Sequence, residues 1–175
     1  MNEVMLMRPC IEYAEQISEY REEFLLAKDS MDGTGALRRT ANPEEFIKLS
    51  IERENPDNVP EGLVPATQFI LVRKNDNRLV GMLQVRHIFN DYLEKYAGHI
   101  GYSVRPSERR KGYAKEMLKK ALPFCREIGI HKVLITCIDG NIGSERTILA
   151  NGGVYESTVY EPNEKEYLKR FWINL

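Results

Sequence analysis

Apolar and polar positions along this chain follow two periods, and the points where the period changes mark its elements. Glu12 to Ala27 carries Tyr13, Ile17, Tyr20, Phe24 and Leu25 at helical spacing, which predicts a helix with one apolar stripe. Asp29 to Gly35 is rich in Asp and Gly and reads as a loop. Asn42 followed by Pro43 reads as a helix cap with proline at the first helical position, opening a short helix to about Ile51. Pro56, Pro60 and Pro65 make the next stretch irregular. Gln68–Arg73 and Arg78–Ile88 then read as strands joined by the polar turn Lys74–Asn77, and Ala97–Arg105 as a third strand.

Helical spacing returns at Ala114, Met117, Leu118, Ala121, Leu122, Cys125 and Ile128, with Gly129 as the stop and Pro123 expected to kink or shorten the helix. Lys132–Ile138 is almost wholly apolar and β-branched, as a strand covered on both faces would be. A helix over Ile142–Ala150 and two strands, Val154–Tyr160 and Tyr167–Ile173, complete the chain. The order α–α–β–β–β–α–β–α–β–β predicts a mixed α/β (α+β) domain around one sheet. The helix between two strand segments predicts a crossover with a locally parallel pair.

The length of 175 residues suits a single domain over 1–175. Lys plus Arg number 25 and Asp plus Glu 26, a formal net charge of −1, so the broad basic bias of a nucleic-acid binder is missing. No apolar run is long enough for a membrane helix, and the N-terminus has no basic segment leading an apolar one. A cytoplasmic protein with neither nucleic acid nor membrane as partner is expected. Cys10, Cys125 and Cys137 are too few and too scattered for a disulfide framework, and no metal-ligand spacing occurs.

The chemistry concentrates in Gly98–Ala114, GHIGYSVRPSERRKGYA. Gly98 and Gly101 interrupt a strand of good strand formers, which marks a bulge or the close approach of another backbone. The strand then runs through Arg105-Pro106 into Arg109-Arg110-Lys111-Gly112-Tyr113-Ala114, the first turn of a helix. A helix start offers unsatisfied N–H groups and a partial positive charge, small residues admit an anion, and basic residues add full charges. This describes a phosphate or diphosphate cradle. The glycine spacings of a P-loop and of a dinucleotide fold are both absent.

The same residues resemble the R/Q-x-x-G-x-G/A signature of the GNAT superfamily of acyl-CoA-dependent N-acetyltransferases. Tyr102-Ser103-Val104-Arg105-Pro106 resembles the end of that family's fourth strand. DGNIGSERTILANGGVYES resembles its next block, with Asn141, Ser144 and Gly152 at matching spacing. The resemblance implies a central, mostly antiparallel mixed sheet flanked by helices, locally parallel where two strands splay to admit the cofactor. It implies acetyl-CoA as acetyl donor. The diphosphate would lie on the backbone of Arg109, Arg110, Lys111, Gly112, Tyr113 and Ala114. The pantetheine would pair with Tyr102, Ser103 and Val104, with Asn141 and Ser144 nearby. A bulge would splay the strand. The acceptor would be a primary amine of a small molecule, peptide or protein, attacking directly in a ternary complex.

One departure from the family pattern bears on the chemistry. Many members carry a tyrosine seven residues after the position of Asn141, where it protonates the departing thiolate; here that residue is Ile148. Ser144, Tyr155 or Tyr160 are the candidate substitutes, and Asn141 and Ser144 also read as a helix cap and a first-turn residue. For the base, His99 and His87 are the candidates, with a water relay through Tyr102 as a further route. Asp29, Asp32, Glu44 and Glu45 are candidates to hold a cationic acceptor. Ile148 keeps open a non-catalytic sensor of CoA or acyl-CoA. The two C-terminal strands offer an edge for pairing into a homodimer.

Overall fold

The computed structural model describes residues 3–175. The first strand, β1 (Val4–Met7), was not foreseen. At four residues it is short, and it reads as an edge partner of β2 (Ala66–Arg73), far along the chain. β2 pairs antiparallel with β3 (Arg78–Arg86), and β3 with β4 (Ile100–Val104), giving the sheet order β1-β2-β3-β4. A second sheet has the order β5-β7-β6, built from β5 (Lys132–Ile138), β6 (Val154–Glu161) and β7 (Glu166–Asn174), all antiparallel.

Helices cover both faces of the first sheet. α1 (Ala14–Leu26) and α2 (Pro43–Glu52) bury Ile17, Tyr20, Phe24 and Phe46 against Ile70, Val72, Leu79 and Met82. α3 (Tyr113–Glu127) buries Met117, Leu118, Ala121 and Cys125 on the other face, against Phe69, Leu71, Leu83 and Val85. Two-sided burial explains why β2 and β3 read as nearly unbroken apolar runs. The second core continues through Val133, Ile135 and Phe171 and through Ile148 of α4 (Ile142–Leu149), so α3 packs across both sheets.

Three expectations are revised. α3 runs through Pro123 without ending there. Ala97, read as the first residue of the third strand, instead closes a π-helical turn, Leu93–Ala97, and β4 begins only at Ile100. The β3–β4 ladder keeps one register from Val85↔Ile100 to Gly81↔Val104, so no bulge splays it.

The splay has another cause. Gly98 leaves the π-turn at φ 68° and ψ −167°, and a Cβ there would stand 2.3 Å from the Leu134 carbonyl oxygen. Only glycine fits that approach. At this point, among the described residues, the sheets touch through one isolated bridge, Gly98↔Ile135, of antiparallel kind, and no ladder continues it. The expected parallel pairing is therefore not formed, and the mixed, mostly antiparallel sheet is divided in two. Beyond the bridge the edge of β4 stands open.

Candidate active site

The register of β4 decides which of its groups face the opening. Arg86 N–H donates to the His99 carbonyl (2.8 Å) and Arg105 N–H to the Val80 carbonyl (2.9 Å). These are hydrogen-bonded pairs, and such pairs recur every second residue. Gly101, Ser103 and Arg105 thus direct their backbone groups into the ladder, while His99 gives it only its carbonyl. Ile100, Tyr102 and Val104 direct theirs to the outer edge, where Arg109 Nε donates to the Val104 carbonyl (3.2 Å). Ser103 is turned away from the opening altogether. Its hydroxyl donates to the Asp32 carbonyl (2.6 Å), and the Tyr20 hydroxyl donates to its carbonyl (3.0 Å). Its expected place in the cofactor strand is corrected to a support for the loop between α1 and α2.

Beyond β4, the chain turns into α3 through a loop anchored by Glu108. This buried carboxylate accepts from Arg73 (2.7 Å) and Lys111 (2.8 Å) and pairs with Arg78 (3.1 Å). Arg73 also donates to the Tyr113 hydroxyl (3.0 Å), which places that ring in the core. Two left-handed residues follow, Arg110 (φ 65°) and Gly112 (φ 84°), and no side chain caps the helix they lead into. Among the described residues, the N–H groups from Arg110 to Lys115 meet no protein acceptor; the first bond back is Glu116 N–H to the Gly112 carbonyl (3.3 Å). Alternating left-handed residues ahead of a bare helix start make a concave row of donors suited to an anion.

The side chains around this row differ in their readiness. Arg109 is engaged by Asp29 (2.6 Å) and lies over the Phe24 ring. Lys111 is engaged by Glu108, while Arg110 is exposed and has no ion-pair partner among the described residues.

On the face of β4 toward α3 and α4, the Tyr102 hydroxyl lies 2.8 Å from Ser144 Oγ. Burial pushes the Tyr102 phenol above its usual range, with the Ser144 bond opposing that shift. Ser144 N–H donates to Asn141 Oδ1 (3.1 Å), so Asn141 is the cap of α4. Ile148 is fully buried in the core, against Gly153, and does not face the opening. Cys137 lies nearby on β5, and burial, its largest influence, pushes its thiol up to about 11. Cys125 is pushed by burial to about 12.

His99 has a structural task that sequence reasoning missed. Its N–H donates to the Leu134 carbonyl (2.8 Å), its Nδ1 accepts from Leu134 N–H (3.0 Å), and its ring packs on Phe89. The ring proton then sits on Nε2, a donor rather than an acceptor. Burial, then Arg86, lowers its pKa to about 4. His99 ties the sheets together and is corrected from base to brace. His87 bonds to Thr67 (2.9 Å), on β2 at the sheet's end. Tyr155 pairs with Thr158 (2.9 Å) and Tyr160 stacks on Tyr167, so neither is brought to Ser144.

Comparison with known proteins agrees with this architecture. The model of the acetyltransferase (GNAT) family matches residues 36–150, and the chain belongs to that family of acyltransferases. It is 25% identical over 126 residues to the uncharacterized N-acetyltransferase YnaD of Bacillus subtilis (strain 168), covering 69% of this chain and 68% of YnaD. The fold is similar to that of the ribosomal-protein-S5-alanine acetyltransferase of Vibrio fischeri (TM-score 0.72, 19% identity, 99% of this chain and 94% of that one). It is equally similar to the microcin C7 self-immunity acetyltransferase MccE in complex with acetyl-CoA and AMP (TM-score 0.72, 17% identity, 100% and 94%). Among the described residues, no helix is long and apolar enough to cross a membrane.

Proposed function

We propose that residues 1–175 act as one acetyl-CoA-dependent N-acetyltransferase unit. The observation that carries this is the row of unpaired N–H groups from Arg110 to Lys115, beside an open strand edge at Tyr102 and Val104. The N–H row, with Arg110, would hold the diphosphate of acetyl-CoA, and the β4 edge would hold the pantetheine as an added strand is held. When bound there, acetyl-CoA supplies an acetyl thioester open to attack by a neutral amine.

The chain's own groups then have three tasks. A β4-edge N–H stabilises the oxyanion that develops on the thioester carbonyl. The attacking amine loses a proton to water, because His99 is not free to accept one. The departing thiolate takes a proton from Tyr102, which Ser144 orients and can reprotonate. The new C–N bond forms as the C–S bond breaks, and the proton count closes through water. Tyr102 with Ser144 thus takes the part that Ile148 cannot. The raised Cys125 and Cys137 thiols give little thiolate at neutral pH, which supports direct attack over an acyl-cysteine route.

The experiment is a pair of measurements: calorimetric titration with acetyl-CoA, CoA and ATP, and thiol release with a panel of primary amines. Binding of both CoA forms with amine-stimulated thiol release is expected. Binding without release by any amine would favour a CoA sensor, and binding of ATP as tight as CoA would sink the cradle assignment.

A further inference from the structure

Arg73 is the last residue of β2, and its side chain is largely withdrawn from water. All five of its N–H donors are engaged. Nε and Nη2 donate to the two carboxylate oxygens of Asp76 (2.8 and 2.6 Å), in the turn that follows β2. Nη1 and Nη2 donate to the two oxygens of Glu108 (2.7 and 3.3 Å). Nη1 also donates to the Tyr113 hydroxyl (3.0 Å). Asp76 thus fixes the plane of the guanidinium from one side. The other side reaches chain that lies 35 and 40 residues further on.

Those two distant partners bracket the donor row at the start of α3. Glu108 stands just before it, and Tyr113 is the first residue of the helix. Glu108 also accepts from Lys111 (2.8 Å), so one buried carboxylate draws in two points of the loop. Between the anchors Arg110 sits at φ 65° and Gly112 at φ 84°. For a residue with a side chain, the conformation of Arg110 is strained, and it persists only where the surroundings over-determine it. The row does not hold itself, since among the described residues its N–H groups from Arg110 to Lys115 meet no protein acceptor. The side chains of Glu108, Lys111 and Tyr113 therefore hold it, and Arg73 ties the first of these to the last.

We infer that Arg73 is a positioning residue for the cofactor: acting through Glu108 and Tyr113, it keeps the donor row in the shape that receives the diphosphate. The inference rests on the acetyltransferase reading above. The task needs a flat group with donors on two sides. A lysine would keep the charge, but its single ammonium cannot bond Asp76, Glu108 and Tyr113 in these directions. Without the anchor, Arg110 would relax from its left-handed state, and the ligand would have to restore it at the expense of affinity. The Tyr102–Ser144 pair shares no hydrogen bond with Arg73, so turnover of bound cofactor should not follow the loss.

The test is calorimetric titration of full-length wild type, R73Q, R73K and Y113F with CoA, well below each melting temperature. It is joined to thiol release at saturating acetyl-CoA with whichever amine the wild type acetylates. R73Q should weaken CoA binding by about tenfold or more, and R73K should lose most of the same affinity although it keeps the charge. Y113F removes one of the five bonds and should weaken binding by about threefold. The KM for acetyl-CoA should rise in both Arg73 variants while kcat stays within twofold. CoA binding by R73Q or R73K within twofold of wild type overturns the inference. So does a kcat that falls in step with affinity, which would mark a general loosening of the fold. Should neither Arg73 variant fold, Y113F decides: an unchanged Kd there overturns the inference. Failure of the wild type to bind CoA is a separate result, which removes the acetyltransferase reading and this inference with it.

Discussion

α3 and α4 both begin beside the gap between the sheets, and their first turns are finished differently. α4 closes its own start: Asn141 accepts from Ser144 N–H, and Ser144 is free to hold Tyr102. α3 leaves its start bare, with Gly112 where a capping side chain could stand. A cap contributes about 1 kcal/mol, so a missing one at a left-handed glycine is a small sacrifice of stability for a place where an outside anion finds donors ready. On the proposed function, the gap would have a binding end at α3 and a chemical end at α4, with capping separating them.

The comparison can be broken most strongly at Gly112. G112D would put a carboxylate at the helix start, closing α3 as Asn141 closes α4. Acetyl-CoA affinity should fall by about a hundredfold or more, the loss of one or two charge-assisted bonds plus repulsion. Thermal stability should stay close to wild type. Unchanged affinity by calorimetric titration would falsify the division between the two ends.

At the chemical end, Y102F should lower kcat by about a hundredfold, the scale of one lost general acid, with the Kd for CoA within twofold. S144A should lower it less, since Tyr102 keeps its own proton. If both variants lose binding instead of turnover, the pair belongs to the cradle.

A third prediction concerns the brace between the sheets. Burial, then the Arg86 charge, lowers the His99 pKa from its ordinary 6.5 to about 4, so between those pH values the unfolded chain binds the proton that the folded chain refuses. Stability should therefore fall as pH drops from about 6.5 toward 4, by about 2 kcal/mol after allowance for solvent screening. H99N keeps an acceptor for Leu134 N–H and should flatten urea-derived stability across that window. The same slope in H99N would assign it to other groups. The smallest effect is at the other cap: N141A should cost about 1 kcal/mol, or about 2–4 °C in Tm, with cofactor affinity unaltered. A loss of affinity there would show that the two helix starts share the ligand.

Much of this organisation was legible in the chain. Asn42-Pro43 forms the cap it spells, with Asn42 Oδ1 accepting from Glu45 N–H (2.9 Å). The stripe from Tyr13 to Phe24 is buried as its spacing predicts. The bare helix start was readable from RRKGYA, since Gly112 and the basic run are local facts. The π-turn was not, because Leu93–Ala97 is held by distant partners: Thr136 bonds the Tyr96 carbonyl, and Arg170 bonds those of Glu94 and Lys95. Ser103 sat in the right strand and His99 just before it, yet their tasks depend on which way the ladder faces, and that is set by pairing with β3. Tyr102 stood inside the cofactor motif, but its partnership with Ser144 joins residues 42 apart in sequence.

The single bridge at Gly98 also bears on how the molecule comes apart. Backbone hydrogen bonds bind each sheet within itself, while among the described residues the two are joined by one bridge, the Leu134–His99 contacts, the bonds of Thr136 and Arg170 to the π-turn, and the shared side-chain core. Amide exchange should therefore report two blocks of protection, one over β1–β4 and one over β5–β7, with the Leu134 and His99 amides as markers of their junction. A ligand lying along the Tyr102 edge and on α3 would stitch the blocks together, and both sets of amides would then slow in step. In that sense the acetyl donor would be the last strand of the fold as well as a substrate.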